Sequence, residues 1–235
     1  VVTQSEKSTV VNQPILNKLN IQDWRISLFE RLINNAVAKK WNHAFGQLTH
    51  HFRMHQEIAI HLQKHYYKPL IPGTDAQKFK IPQKRVVWIP TFTEGALKKN
   101  MAEAEAVFRL IQQLIDTEGF LPAEIGIISP FKAQITAIKS LLIDDWLDAI
   151  TIDTVERYQG DERKIIIFST TISNPFQISS IQSINNKDPQ QTDRKLLVSI
   201  SRAVERLYIF GNGNALSAAP AYAELLAKIS SNIAP

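Results

Sequence analysis

The stretch Thr151–Ser169, TIDTVERYQGDERKIIIFS, decides how the chain is read. It opens on a short alternating segment, Ala149–Asp153, passes through a polar turn, Thr154–Arg163, and closes on Lys164–Ser169. In that last segment Ile165, Ile166, Ile167 and Phe168 form an apolar run rich in β-branched residues, which suits a strand covered on both faces. The turn between is dense in groups that can do chemistry: Thr154, Glu156, Arg157, Gln159, Gly160, Asp161, Glu162 and Arg163. A solvated loop can have the same composition, so the turn by itself leaves both readings open.

Working outward, strand and helix patterns alternate. Upstream, RVVWIP (Arg85–Pro90) reads as a strand and Ala102–Glu118 as a helix with Ala104, Val107, Phe108, Ile111, Leu114 and Ile115 on one stripe, capped by Gly119. Ile125–Ser129 is a buried strand, and Pro130 stands where the next helix begins. Downstream, Pro175–Thr192 is polar and aperiodic, an inserted loop. Leu196–Val204 is a short helix, Leu207–Phe210 a strand, and Ala215–Ile229 a last helix. Before this regular part, Val1–Gln22 is a flexible lead-in. Trp24–Val37 is an amphipathic helix with Asp23 as its N-cap. Leu48–Met54 is short and extended, His55–Tyr67 helical, and Ile71–Lys84 loop. The predicted organisation is a lead-in (1–22), a helical segment packed on the core (23–84) and an α/β domain (85–235).

Strands alternating with helices argue for a parallel sheet with right-handed crossovers. Ligands of such sheets bind at the carboxyl ends of the strands. That points to Ser129–Gln134, Asp153–Glu162 and Gly211–Asn214.

The chain has 235 residues, 27 Lys and Arg against 22 Asp and Glu, and no cysteine. Disulfides are excluded, and the net charge of +5 permits a nucleic-acid partner. No apolar run reaches the roughly 18 residues a membrane helix needs, so an intracellular, cytoplasmic protein is expected. The start at Val1 is the start expected of a piece of something longer.

In RKLLVSISRAVERLYIFGN (Arg194–Asn212), a helix over Lys195–Val204 places Ser199 and Arg202 on one face, with Ser201 beside them. Arg202 stands among Val198, Ile200, Ala203 and Val204 and needs an anionic partner: Glu205 or Asp161 within the fold, or a phosphate, for which the guanidinium fork is suited. All six histidines fall between His43 and His65. His51/His55 and His61/His65 have the i, i+4 spacing that can bring two imidazoles onto a metal. With no HExxH order and no third ligand beyond Glu57, helix packing is their expected role, and no metal site is assigned. The lysine pairs Lys39–Lys40 and Lys98–Lys99 read as solvated faces, with contact to a nucleic-acid backbone as the minor alternative.

GIISPFKAQ (126–134), TVERYQGDERKIIIFS (154–169) and RKLLVSISRAVERLYIFGN (194–212) resemble the later motifs of superfamily 1 ATP-dependent helicases, those of 5′-to-3′ polarity on DNA or RNA. SLFERL (27–32) and FRMH (52–55) match the stretch such helicases carry after their third motif. The sequence has no G-x-x-x-x-G-K-[ST] phosphate loop and no early acidic Mg²⁺-binding pair, which the family carries in the first of its two RecA-like domains. The resemblance therefore implies the second RecA-like domain: a parallel sheet with helices on both faces, plus an N-terminal helical extension.

It also implies roles. Arg202 and Arg53 resemble arginines that reach the γ-phosphate of ATP across the domain cleft, as arginine fingers do, and Glu162 matches the acid that holds the ribose. Gln159 and Gly160 match the segment linking nucleotide state to the strand-binding face. Ser129, Pro130, Phe131, Gln134 and Thr154 match positions beside a single strand of DNA or RNA; Phe131 reads equally as a base-stacking ring or as a core residue. Mg²⁺ ligands are expected in the first RecA-like domain, and this piece alone is expected to be inactive. Asp161 and Ser201 depart from the residues common in the family, Ser201 keeping a hydroxyl. The reading from another class is a nucleic-acid-binding or regulatory module that keeps the motor fold without catalysis; a phosphate loop upstream of Val1 would decide between the two.

Overall fold

The computed structural model describes residues 27–46, 48–62, 71–73, 84–92, 97–184 and 192–231, together with Pro14 and Lys18. Its contacts divide the chain into two units, Val1–Leu48 and Thr49–Pro235.

In the first unit, helix α1 spans Leu28–Ala38. Its N-cap is Ser27, whose hydroxyl accepts from the Glu30 N–H at 3.1 Å. That corrects the expected cap at Asp23, which lies, with Trp24, outside the described residues.

The second unit opens with a two-residue strand β1 (His50–His51) and the short helix α2 (Gln56–Ala59). Strand β2 (Ile71–Pro72) pairs with β1 in parallel. The expected loop from Ile71 therefore starts as a strand, because the N–H groups of Ile71 and Gly73 donate to the Thr49 and His51 carbonyls. The helix expected to Tyr67 stops at Ala59, residues 60–62 forming a turn; residues 63–67 lie outside the described residues.

The main sheet follows. Strand β3 (Val86–Pro90) leads into helix α3 (Met101–Gln112), which widens into a π-turn at Gln113–Thr117. Gly119 follows with φ +74°, a backbone state glycine adopts freely. Then come β4 (Ile125–Ile128), α4 (Lys132–Lys139), α5 (Asp144–Ala149), β5 (Thr151–Asp153), β6 (Arg163–Ser169), α6 (Ile178–Ile181), α7 (Arg194–Ser201), β7 (Ala203–Gly211), α8 (Gly213–Leu216) and α9 (Pro220–Ser231). The strand order is β3-β7-β6-β4-β5, and every pair is parallel.

The pattern of β6 explains the layers. Ile166 and Phe168 face one core with Ile58, Leu62, Ile200, Leu216 and Tyr222. Ile165 and Ile167 face the other with Val107, Ile111, Leu114, Ile135 and Ile138. All four side chains are fully buried, as expected for a strand covered by helices on both faces. This is the parallel α/β architecture that the alternating pattern predicts, and it is RecA-like, as the resemblance implies.

Several boundaries differ from the sequence reading. Helix α5 went unseen; it carries Asp144 and Asp145 in its first turn, where carboxylates suit the helix dipole. Helix α4 starts at Lys132, after Phe131 as N-cap, not at Pro130. The segment expected as loop from Pro175 holds a 3₁₀ turn (Pro175–Gln177), helix α6 and a bridge between Ile184 and Asp193. Helix α7 ends at Ser201, because Ala203 already pairs with Arg163. The last helix is two, with Pro220 opening the second.

Candidate functional site

Residues far apart in the chain meet at the amino-terminal edge of β6 and β7. Glu162 immediately precedes β6, and Arg202 immediately precedes β7. Arg53 lies just before α2. Its Nε donates to Glu162 Oε2 in an ion pair, and its Nη1 donates to the Ser201 carbonyl at 3.3 Å. Arg202 is fixed by its own helix and by the turn: Nε donates to Val198 O at 3.2 Å, Nη1 to Asp161 O at 3.4 Å and Nη2 to Ser201 Oγ at 2.9 Å. The Asp161 contact is therefore made by its carbonyl, while its carboxylate takes Arg163 Nη1 at 2.6 Å.

The Arg53 and Arg202 guanidiniums share the neighbourhood with the Glu162 carboxylate, while Asp161 is occupied by Arg163. Neither arginine is sealed in the interior: the Arg53 side chain is 35% exposed and that of Glu162 51%, with Arg202 half-buried. Guanidinium donors fit phosphoryl oxygens, and a half-exposed carboxylate can accept from ribose hydroxyls, so this donor set suits a nucleotide. The placement corrects one expectation: Glu162, expected with Asp153 at the carboxyl edge, stands at the amino edge of the sheet beside Arg202.

The crossover between the edges is short. It leaves β5 at Thr154, and Tyr158, buried, lies over Gly126. Gln159 and Gly160 follow exposed at the turn, with Gly160 at φ +100°. Arg163 pins the far end by donating to Thr151 Oγ1 and the Glu162 carbonyl, each at 2.6 Å.

At the carboxyl edge the expected strand-contact residues separate into two groups. Pro130, Phe131 and Thr154 are half-buried and reach the surface. Ser129 and Gln134 are fully buried, which corrects their expected contact with a strand. Ser129 Oγ accepts from the Phe131 N–H at 3.4 Å. Gln134 Oε1 accepts from Asn100 N at 2.7 Å, and its Nε2 donates to Asn100 O at 3.2 Å and Ser169 Oγ at 3.1 Å. Its amide is spent on bracing the edge.

That brace continues into a group the sequence reading missed. Glu103 is fully buried; Oε1 accepts from Ser169 Oγ at 2.7 Å and Thr171 N at 2.9 Å, and Oε2 from Thr91 Oγ1 at 2.9 Å. Burial pushes its carboxyl above the ordinary range, partly offset by these three donors. Thr171 holds φ +59°, a left-handed state that is costly for a β-branched residue. The available signal was Glu103 itself, a carboxylate on the same helical stripe as Val107 and Leu110.

Of the described histidines, His43 and His50 are exposed, and His55 and His61 are buried. His55 caps α2, its Nδ1 accepting from the Glu57 N–H at 3.2 Å. Burial, with the charge of Lys228 adding to it, lowers His61 to about 4. His65 lies outside the described residues. Among the described residues no group of three or more His, Asp and Glu side chains is placed to hold a metal, and no helix is long and apolar enough to cross a membrane.

A five-stranded parallel sheet covered by helices on both faces is an α/β domain of the RecA-like kind. A family model described as an AAA domain matches residues 24–214, so the chain belongs to that family, as a superfamily 1 helicase type of RecA-like domain. It is 28% identical over 222 residues to the mouse "NFX1-type zinc finger-containing protein 1", covering 88% of this chain and 10% of that protein. It is 31% identical over 235 residues to the chicken "Putative helicase MOV-10", covering 83% of this chain and 24% of that protein. Over 142 residues it is 31% identical to the cattle "DNA replication ATP-dependent helicase/nuclease DNA2", covering 60% of this chain and 13% of that protein. The chain thus spans a quarter or less of the length of these relatives.

Proposed function

We propose that this chain is the second RecA-like domain of an ATP-driven helicase or translocase with 5′-to-3′ polarity. It contributes one wall of a nucleotide site and part of the track for a single strand of DNA or RNA. The observation that carries this reading is the convergence of Arg53, Glu162 and Arg202 from separate segments onto one half-exposed edge.

In the proposed mechanism the first RecA-like domain holds ATP and its Mg²⁺, and the nucleotide supplies the phosphoryl group. Arg202 and Arg53 donate to its terminal phosphate and neutralise charge that grows during transfer. Glu162 accepts from the ribose. Arg202 can hold this position because Val198, Ser201 and Asp161 fix its guanidinium beforehand. Gln159 and Gly160 lie on the segment joining Glu162 to Thr154, so a shift at the nucleotide edge has a direct covalent route to the strand edge. Pro130, Phe131 and Thr154 are the strand contacts in this reading, and the likeness to named helicases accords with it.

The test is strand-stimulated ATP turnover by the full-length protein with Arg202→Ala. Loss of an arginine finger lowers turnover by about 10³-fold or more. Near-normal turnover contradicts the assignment.

A further inference from the structure

The carboxyl edge of the sheet displays a phenyl ring in an unusual way. Phe176 is 93% exposed, the most exposed of the large hydrophobic side chains among the described residues. A floppy loop would let such a ring fold back onto apolar surface. Here the turn is braced so that it does not. Asn174 Oδ1 accepts from the Phe176 N–H at 2.9 Å. Gln177, itself buried, has an Oε1 that accepts from Ser173 N at 2.9 Å, Ser173 Oγ at 3.2 Å and Asn174 N at 3.1 Å. Its Nε2 donates to the Leu97 carbonyl at 3.2 Å.

That last bond places the turn beside an exposed basic pair, Lys98 and Lys99. Beneath the pair, Asn100 is clamped to Gln134, and Gln134 to Ser169 at the end of β6. Residues 97–100 and 173–178 include no acidic side chain. The edge therefore offers an aromatic face and two ammonium groups on one rigid frame. A polyanion whose units carry flat rings fits both features: bases stack on aromatic side chains irrespective of sequence, and lysines neutralise the phosphates. Fixing the ring in advance reduces the ordering cost of binding.

We propose that Phe176 and Lys98 form a station for a single nucleic-acid strand, Phe176 stacking on a base and Lys98 pairing with a phosphate. This rests on the strand-binding reading above and extends it from Phe131 and Thr154 to the turn after β6. The test is fluorescence anisotropy of a labelled oligothymidylate with the 235-residue chain and its Phe176→Ala, Phe176→Trp and Lys98→Ala variants. Because Phe176 is exposed, the alanine variant keeps its thermal unfolding midpoint. It binds the oligonucleotide about 5- to 100-fold more weakly, the range for losing one stacked base. The tryptophan variant retains affinity, and its added indole emission is quenched by the strand. Lys98→Ala weakens binding and lowers the salt slope by about one. On a strand of the same length with abasic sugars, Phe176→Ala binds like the unaltered chain. Equal affinity of the alanine variant and the unaltered chain for oligothymidylate overturns the station alone. Absence of any strand binding by the unaltered chain overturns the strand-binding reading and the station together.

Discussion

Arg53 and Glu162, 109 residues apart in sequence, form an ion pair, and the same guanidinium reaches the carbonyl of Ser201 next to Arg202. The pair is half-exposed. Exposed pairs of this kind contribute about 0–1 kcal/mol, because water already solvates both charges and long side chains lose freedom on pairing. Stability is therefore a poor reason for bringing these groups together. The proposed function supplies another: on binding, a nucleotide would take Arg53 by its phosphate and Glu162 by its ribose, in place of their pairing with each other.

Arg53→Ala separates the two explanations. The expected shift in urea unfolding of the chain is no more than about 1 kcal/mol. Strand-stimulated ATP turnover of the full-length protein is expected to fall by about 10³-fold or more. A large loss of stability with little loss of turnover would make Arg53 a structural residue.

Gly126 sets the path of the crossover. A Cβ built there falls 1.9 Å from Tyr158 Oη and 2.9 Å from Ile166 Cδ1, so only glycine lets Tyr158 lie across β4. Tyr158 in turn precedes Gln159 and Gly160. Gly126→Ala is expected to destabilise the chain by about 1–3 kcal/mol, the cost of overpacking a tight site. Removing the clashing hydroxyl with Tyr158→Phe in the same chain is expected to recover part of that loss. A double variant no more stable than Gly126→Ala would show that the strain lies elsewhere.

Arg206 is buried to 1% exposure, paired with Glu118, 3.3 Å from the Tyr208 hydroxyl and 5.0 Å from the Phe120 ring. Removing one partner of a buried pair leaves the other without compensation, so Arg206→Ala is expected to cost about 3–5 kcal/mol. Replacing both, with Arg206→Met and Glu118→Gln, is expected to restore most of it. Chemical denaturation of the single and double variants measures the coupling.

The parallel sheet and its layers were legible because Ile165–Phe168, Ile125–Ile128 and Leu207–Phe210 are apolar runs too short for helices and are separated by helical stripes; the strand order was not. Element edges were not, because they depend on tertiary bonds: β7 begins at Ala203 since Arg163 pairs with it, and nothing local in SRAVER marks that. The same limit applied to the site. The resemblance to the helicase motifs singles out Arg53, Glu162 and Arg202, and folding brings them together. Ser129 and Gln134 have the same chemistry as surface contacts, yet their partners Phe131, Asn100 and Ser169 take them inside. Glu103 went unseen because its three donors come from Thr91, Ser169 and Thr171, which only the fold collects around it.

Glu103 also gives the chain a specific pH dependence. Burial raises its folded-state pKa above the unfolded value, so the folded state binds the proton more tightly. Stability then falls as pH rises from the ordinary carboxyl range, about 4.5, toward the raised folded value, and the penalty is fully present above it. Glu103→Gln keeps an oxygen for Ser169 and Thr171 and presents an amide to the Thr91 hydroxyl, which can accept, while carrying no charge. Its stability relative to the unaltered chain is therefore expected to improve with rising pH, with the gap growing from pH 4 to pH 8 in urea titrations. Glu103→Ala strands three donors at once and is expected to cost about 3 kcal/mol or more. A constant gap between the glutamine variant and the unaltered chain across that range would mean that Glu103 ionises as easily folded as unfolded.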